Sequence, residues 1–366
     1  MATQNLILSS SYNGVFGALF VQIEAAQNTI SPSPLTRADT IPVFAQTLQM
    51  DLQFAMEQPA LEDPYGTAYL GQVTSAKCTW SFEAPLYGAG TTGTSPNLLV
   101  DTPRWIAQVL ATCFKTTLSA AGTNPTLTLT PTLESNFAND SFSMTGFFGL
   151  RGAPAGGNKL AATLKGCRVS KVTFTLKADG LSRVKFEGSG VYNSDWTNST
   201  EDLSGNNWDV TAQEFIRGMG QEVKLQVNGA GDDYILNATQ TEIAVDFGAE
   251  HIVSDGALTQ LGTAAVGLTK RDVSISFDPI WTSPATWDIF SIARAGGFFT
   301  ISSAYAYPSA YSSTGKEGRG FKIDLPKVQF ANTTPERASF VRQKLDGMAL
   351  KNSESDEPLT LTIGSS

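Results

Sequence analysis

The chain has 366 residues, of which 41% are hydrophobic and only 16% are charged, and its formal net charge at pH 7 is -9. That length allows two or three domains, and the acidic balance, present in both halves, excludes a basic nucleic-acid-binding surface that spans either half. Interface cores are depleted of charged residues, so the low charge content favours a protein with extensive subunit contacts.

Neither secretion nor metal binding is indicated by the sequence. The first residues lack a basic segment followed by an apolar core, and no apolar run has the length of a membrane helix, so we expect no signal peptide and no membrane span. Cys78, Cys113 and Cys167 lie far apart, and their odd number has no metal-ligand spacing. We expect three reduced, mostly buried thiols in a reducing cytoplasm.

The first 40 residues have the composition of an N-terminal arm. Small and polar residues dominate, and the run Ser31-Pro-Ser-Pro disfavours regular structure. We expect the arm, residues 1–40, to be extended or weakly ordered until it is bound. From Ile41 to Phe54 apolar and polar residues alternate, and the turn-rich residues 57–66 follow, which predicts a long β-hairpin.

A strand, a loop and an amphipathic helix occur twice along the chain. In register, Ser81-Phe82-Glu83 matches Ser276-Phe277-Asp278, and Trp105 matches Trp287 in a helix that begins near a proline. The first of these helices is expected over residues 104–115. The repeat indicates two units of one kind.

The clearest β pattern lies between Val169 and Tyr192. Two alternating stretches flank Asp179-Gly180, a dipeptide that favours a tight hairpin turn. One face of this hairpin is apolar and the other carries Lys, Thr and Glu, so we expect one buried and one solvent-exposed face. Upstream, an alternating strand from Thr126 is expected to end, or to lie at a sheet edge, near Pro131.

A linker is indicated at residues 193–207, which are rich in Ser, Thr, Asn, Asp and Gly. We therefore divide the chain into the arm at 1–40, a first β unit at 41–205 and a second β unit at 206–366. The second unit is predicted to contain strands at 223–227, 242–247, 273–277, 298–302, 321–325 and 359–363 and a loop at 305–320. The last strand is so close to the C-terminus that it must pair or remain an exposed edge.

Signatures of catalysis are sparse. His251 is the only histidine, which excludes a histidine metal cluster, and no Gly-x-Ser-x-Gly nucleophile motif accompanies it. The glycines in residues 151–157 lack the context of a phosphate loop, and Glu354-Ser-Asp-Glu lacks the calcium-loop pattern. We predict a protein that is not an enzyme, with no catalytic, cofactor-binding or metal-binding residues and no cofactor.

A longer pattern runs through both units. In the first, Leu164-Lys-Gly-Cys-Arg-Val-Ser-Lys-Val-Thr-Phe-Thr-Leu-Lys-Ala-Asp-Gly leads to Val184-Lys-Phe-Glu-Gly-Ser-Gly-Val-Tyr. In the second, it comprises Gly320-Phe-Lys-Ile-Asp-Leu-Pro-Lys-Val-Gln-Phe, Leu345-Asp-Gly-Met-Ala-Leu and Asp356-Glu-Pro-Leu-Thr-Leu-Thr-Ile. Together these segments resemble the tail tube protein, or major tail protein, of long non-contractile-tailed bacteriophages, and the likeness covers most of the chain. One departure is Val169-Ser170, where a glycine is usual.

The resemblance implies a mainly β fold of two tandem tail-tube-like β-sandwich or barrel units, each with a flanking α-helix. It implies a structural virion protein whose rings, closed by β-strand addition, stack into a hollow tube for DNA ejection. With two units per chain, three chains would form a ring with pseudo-six-fold symmetry. An acidic lumen would repel phosphate. The hairpin from Pro42 to Pro59 and the arm before it carry alternating apolar residues with no obvious partner in their own unit, so we expect them to make contacts between rings.

Partners and location follow from the same resemblance. The chain would bind other copies of itself, the tail terminator and tail-tip proteins, and the tape measure protein before ejection. DNA would pass without specific binding, and no membrane would be bound. The protein would be made in the host bacterial cytoplasm and reside in the virion tail.

Two other classes of protein stay open. A secreted or surface carbohydrate-binding β-protein, pilus- or adhesin-like, would share the acidic, Thr- and Gly-rich composition, although it would normally carry a signal peptide. A hydrolase with a glycosidase-like carboxylate pair also stays open, because separation in space is invisible in one sequence.

Overall fold

The structure of the chain is a computed structural model. It describes residues 17–26, 28–30, 35, 39–57, 72–86, 108–119, 126–131, 141–148, 159–193, 197–199, 222–227, 234–236, 238–254, 262–280, 288–305, 321–337, 341–351, 353 and 357–363. Within these residues the fold is mainly β and is dominated by antiparallel pairing.

The described strands are numbered β1 to β20 in chain order. They are Gly17–Ile23, Thr40–Ile41, Gln49–Glu57, Gln72–Pro85, Phe114–Ser119, Thr126–Pro131, Phe142–Phe148, Lys159–Lys177, Arg183–Tyr192, Thr197–Ser199, Glu222–Val227, Tyr234–Leu236, Ala238–Asp246, Ala249–Val253, Thr263–Leu268, Asp272–Pro279, Phe299–Tyr305, Phe321–Arg337, Val341–Ala349 and Thr360–Ile363. A 3-10 turn covers Leu110–Thr112, and helix α1 covers Ile289–Arg294.

One continuous layer follows the order β3–β4–β9–β8–β13–β16–β19–β18, and every neighbouring pair in it is antiparallel. Apolar side chains alternate along these strands, and one face of the layer is buried. Phe82 and Phe186 lie opposite each other on that face, with ring centroids 5.0 Å apart. The opposite face of the layer is polar, as the alternation between Val169 and Tyr192 predicts for the first hairpin.

Further strands pack on the buried face and complete the core. They form two groups. The first follows the order β2–β1–β7 and then the start of β8. The second follows the order β12–β11–β17, then the start of β18, and then β20, β6 and β5. Trp80 of the first layer contacts Phe142 of β7 at 5.4 Å between ring centroids, and Phe174 of β8 contacts Phe321 of β18 at 5.9 Å. One apolar core therefore runs through both groups.

Two series of strands pair in the same order. The first is β2–β1–β7–β8–β9–β4–β3, and the second is β12–β11–β17–β18–β19–β16–β13. The matched tripeptides set the register between them. Glu187 lies opposite Ser81 in the first series, and Asp346 lies opposite Ser276 in the second.

Both long strands, β8 and β18, change register at corresponding places. Opposite Gly188 and Glu187 of β9, the pairing skips one residue of β8, between Val169 and Lys171. Opposite the corresponding residues of β19, the pairing skips one residue of β18 in the same way, between Phe330 and Asn332. A bulge of this kind bends a strand and re-aims its side chains. Each long strand can therefore contribute to both layers of the fold.

The C-terminal strand is paired on both sides within the chain. β20 pairs with β18, where Leu361 lies opposite Ile323, and also with β6, where Leu361 lies opposite Leu129. It is therefore not the exposed edge that its position in the sequence allowed. β6 ends at Pro131, as the sequence predicts.

Three expectations from the sequence need correction. Gly17–Ile23 of the expected arm forms β1, which pairs with β7 and buries Leu19 and Val21, because this short apolar run is covered by the sheet. The helix expected over 104–115 gives way to strand β5 at Phe114, and residues 104–107 lie outside the described residues. Within the expected linker, the short strand β10 pairs with the start of β8.

Candidate assembly surface

The polar face of the continuous layer carries ion pairs at equivalent positions in the two series. Arg183 of β9 donates to Glu83 of β4 at 3.0 Å, and Arg342 of β19 donates to Asp278 of β16 at 2.8 Å. Both acids belong to the matched tripeptides. Both arginines lie opposite the residue two positions after the acid, so the two contacts have the same geometry on the sheet.

Each arginine is fixed by further contacts. The guanidinium of Arg183 stacks over Phe44 at 4.2 Å from the ring centroid, and that of Arg342 also contacts the hydroxyl of Thr239. Next to the first pair, Lys185 lies 2.7 Å from Glu187. These side chains are partly exposed, so each pair contributes only about 0–1 kcal/mol to stability. Their main consequence is electrostatic, because each of these cations has a carboxylate beside it.

A strand joint connects the two series. The end of β8 pairs antiparallel with β13, with Lys171 opposite Asp246 and Thr175 opposite Glu242. Opposite charges directly across a strand pair are favourable. The joint continues past β13, because the backbone N–H of Phe247 donates to the carbonyl of Ser170 at 2.7 Å. Phe247 is fully buried and contacts Phe114, with ring centroids 5.9 Å apart.

The continuous layer ends in two strand edges that have no strand partner on their outer side among the described residues. β3 pairs with β4 on one side, and the end of β18 pairs with β19 on one side. On β3, Phe54 is 47% and Met56 is 63% exposed, which is unusual for large apolar side chains on a sheet. The hairpin expected here does form between β3 and β4, but it is an integral part of the sheet, because Met50 packs in the core.

A buried carboxylate at the end of β1 is part of a hydrogen-bond network that reaches the β14–β15 hairpin. Glu24 accepts hydrogen bonds from the hydroxyl of Ser141 at 2.6 Å and from the backbone N–H groups of Gly166 and Asn28 at 2.8 and 2.9 Å. Asn28 in turn donates its side-chain N–H to the carbonyl of Ala264 at 2.6 Å. Burial raises the pKa of Glu24, although these hydrogen bonds oppose the shift. These contacts connect the end of β1 with β8, with the residue before β7 and with β15.

His251 lies on the hairpin β14–β15, which packs on the first series. Burial lowers the pKa of His251 below its usual value, the nearby carbonyls of Cys78 and Gly190 oppose the shift, and the charge of Lys77 adds to it. Cys78, Cys113 and Cys167 are free and buried. Burial raises the pKa of Cys78 to about 12 and that of Cys167 well above its usual value, so neither thiol is activated.

Several residues singled out in the sequence lie outside the described residues. They include Trp105 and Trp287, the glycines of 151–157, and residues 354–356 of the acidic run. The last residue of that run, Glu357, forms an ion pair with Arg271 at 2.9 Å. Among the described residues no cluster of three or more His, Cys, Asp or Glu side chains suits a metal ion, and no helix is long and apolar enough to cross a membrane.

The strand register shows a second pair of matching segments in the sequence, in addition to the matched tripeptides. Residues 183–188 read Arg-Val-Lys-Phe-Glu-Gly, and residues 342–347 read Arg-Gln-Lys-Leu-Asp-Gly, and the two segments occupy equivalent positions on β9 and β19. Six residues that are identical at three positions and differ at the other three (Val to Gln, Phe to Leu and Glu to Asp) are a weak signal in a sequence alone. Their common position opposite Ser81-Phe82-Glu83 and Ser276-Phe277-Asp278 makes the match specific.

Comparison of the chain with models of known protein families and with curated proteins finds no match.

Proposed function

We propose that this chain is the tail tube subunit of a long-tailed bacteriophage, a structural protein that assembles into stacked rings. The observation that carries the proposal is the correspondence of the two strand series, which share one pairing order, a corresponding bulge in β8 and β18, and equivalent ion pairs. A chain built from two such units, joined edge to edge at β8 and β13, is itself a segment of a larger cyclic sheet. The sequence resemblance to tail tube proteins supports this interpretation.

In this proposal the chain contains two tandem units, with β1 to β10 in the first and β11 to β20 in the second. The first unit then begins at β1, earlier than residue 41, because β1 corresponds to β11 in the pairing order. The short helical segments at Leu110–Thr112 and Ile289–Arg294 follow β4 and β16 and are the counterparts of the flanking helices. Three chains would supply six units around one axis.

The polar face of the continuous layer would line the channel of the tube. Arg183 and Arg342 are neutralised there by Glu83 and Asp278. A paired arginine binds phosphate less well than a free one, because the carboxylate already occupies its donors. DNA would therefore pass along this face without being held, and the overall acidic charge of the chain would add to this effect.

The partners and location proposed for the chain follow from this function. They are other copies of the chain, the tail terminator, tail-tip and tape measure proteins, and a place in the virion tail.

Electron microscopy of the purified full-length protein tests the proposal. We expect rings or long hollow tubes, with three chains and six similar lobes in each ring. Rings of six chains with twelve lobes would contradict the trimer, and particles that stay monomeric at all concentrations would contradict the tube function. A carbohydrate-binding protein would instead bind glycans on an array without forming tubes.

A further inference from the structure

The joint between β8 and β13 defines how one unit adds to the next. Seven residues of each strand pair antiparallel, from Lys171 opposite Asp246 to Lys177 opposite Gln240. In the joint, the end of β8 from the first unit pairs through the edge that faces away from β9, and β13 from the second unit pairs through the edge that faces away from β16. Because both units contain these two kinds of strand, each chain should also carry one unused edge of each kind.

Strand register identifies those unused edges. β3 corresponds to β13, because Gln49 lies opposite Ser81 and Glu242 lies opposite Ser276 in the matched tripeptides. The end of β18 corresponds to the end of β8, because the same bulge precedes both of them. These are the two ends of the continuous layer, and neither has a strand partner on its outer side among the described residues.

Features of each edge are consistent with a strand partner outside the chain. Asp51, Gln53 and Phe54 on β3 are exposed, and the buried Phe247 occupies the position that corresponds to Phe54. Pro335 lies within β18, which fits the position of this segment at the end of the layer in a single chain; in the proposed contact it supplies no N–H, so the pairing has one backbone donor fewer than the β8–β13 joint has at Phe174. Its missing donor also disfavours indiscriminate pairing along this edge.

We propose that the contact between two copies of this chain repeats the joint within one chain. The segment Asn332 to Arg337 of one copy pairs antiparallel with β3 of the next copy. Residue-by-residue transfer of the β8–β13 register places Asn332 opposite Gln53, Thr334 opposite Asp51 and Glu336 opposite Gln49. This inference rests on the proposed function, and it adds the edges, the direction and the register of the contact.

The derived register is chemically consistent. At the position of the Lys171 and Asp246 pair it brings together two neutral amides, Asn332 and Gln53, and no pair of like charges lies directly opposite. It also keeps Met50 on the apolar face. A slip by one residue would pair positions that point to opposite faces of the sheet, which strongly disfavours such a slip. The two edges of a chain differ, so the contact is head-to-tail and closes into a ring or extends into a filament.

Cysteine cross-linking of the assembled full-length protein tests the register. The variant Gln53→Cys with Asn332→Cys, treated with a short thiol-reactive cross-linker, should give covalent dimers and trimers on a denaturing gel. Directly opposite Cβ atoms lie about 4.5–5.5 Å apart, within reach of such a reagent. The parent chain measures the background cross-linking, which should be low because its three cysteines are buried.

Two matched variants serve as controls. Gln53→Cys with Thr333→Cys places the thiols on opposite faces and should give no cross-linked ladder. Lys171→Cys with Asp246→Cys tests the known joint and should cross-link within one chain, without dimers. If the first variant assembles poorly, Asp51→Cys with Thr334→Cys tests the same register on the same face.

The outcomes separate this inference from the proposed function. Tubes without a cross-link at Gln53 and Asn332 or at Asp51 and Thr334 would overturn the register and leave the tube function standing. A parent chain that forms neither rings nor tubes would overturn both. A ladder that ends at three chains supports the register and the trimer together, and a ladder that continues to six supports the register alone.

Discussion

Two glycines show how tightly individual residues are constrained at the bends of the long strands. A methyl group on Gly188 would lie 2.1 Å from the ring of Trp80 and 2.3 Å from the carbonyl of Arg168. The corresponding Gly347 would place it 2.8 Å from the carbonyl of Gln329. Backbone atoms cannot move aside cheaply, so both positions require glycine for space.

Gly188→Ala and Gly347→Ala should therefore each lower the free energy of unfolding by about 1–3 kcal/mol, the usual cost of overpacking. Thermal or urea denaturation measures the loss. Gly180→Ala is the control, because its added methyl would meet nothing closer than 4.0 Å and its stability should stay near that of the parent. A Gly188→Ala variant with an unchanged free energy of unfolding would contradict the packing described at Trp80.

His251 gives the chain a testable pH dependence. Its pKa is lower in the folded chain than the usual 6.5, so the unfolded chain binds more protons near that pH. The stability that neutral His251 contributes is present above about pH 6.5 and is lost as the pH falls from there through the lower pKa of the folded chain. His251 is the only histidine of the chain, so one substitution removes the whole histidine contribution to the pH dependence of stability.

We expect the melting temperature of the parent to fall more between pH 7.5 and pH 5.5 than that of His251→Gln. The shift of Glu24 has the opposite sign, but it is common to both proteins and cancels in the comparison. Equal slopes for the two proteins would show that His251 has the same pKa folded and unfolded.

At the scale of elements, strands with one buried face were predictable and others were not. The hairpin between Val169 and Tyr192 and the strand from Val223 alternate regularly, and both form as predicted. β1 was missed because it is a short apolar run without alternation, which does not distinguish a buried strand from other structures. The full lengths of β8 and β18 were missed because bulges interrupt the alternation.

The helices carry a prediction that the structure does not test. Trp105 and Trp287 both follow a proline at the start of an apolar stripe, and we expect them to be equivalent core anchors. Trp105→Ala and Trp287→Ala should each cost about 3–5 kcal/mol of stability and reduce ring yield to a similar degree. Denaturation and electron microscopy measure the two effects. A variant with full stability and lost glycan binding would favour the carbohydrate-binding alternative.

At the scale of the whole molecule, pairing between distant segments could not be predicted from one sequence. The pairs β8–β13 and β6–β20 connect strands that are far apart along the chain, and no local pattern encodes which strand lies beside which. The residues of the candidate surface were therefore only partly predictable from the sequence. Glu83 and Asp278 were found through the repeat, but Arg183 and Arg342 were not, because their relation exists only in the strand register.

Assembly should depend on Phe54 while folding of the free chain should not. Phe54→Ala is expected to change the stability of the unassembled chain by less than about 0.5 kcal/mol, because the side chain is 47% exposed. It should reduce ring yield, since the next copy would cover this residue. Phe247→Ala is the matched control, because that residue is fully buried, and it should cost about 3–5 kcal/mol of stability. Sedimentation measures ring yield, and denaturation measures stability.

The covalent connection across the β8–β13 joint has a consequence for how rings would be populated at low protein concentration. Six separate units would need five associations that depend on concentration before the sixth contact could close one ring. In the proposed trimer, half of these contacts lie inside single chains, where a linked partner has a fixed effective concentration. Dilution then acts on only two associations per ring, so the two kinds of contact can evolve different strengths. The contact within the chain would form at any dilution, while the contact between chains would set the concentration at which tubes begin to grow.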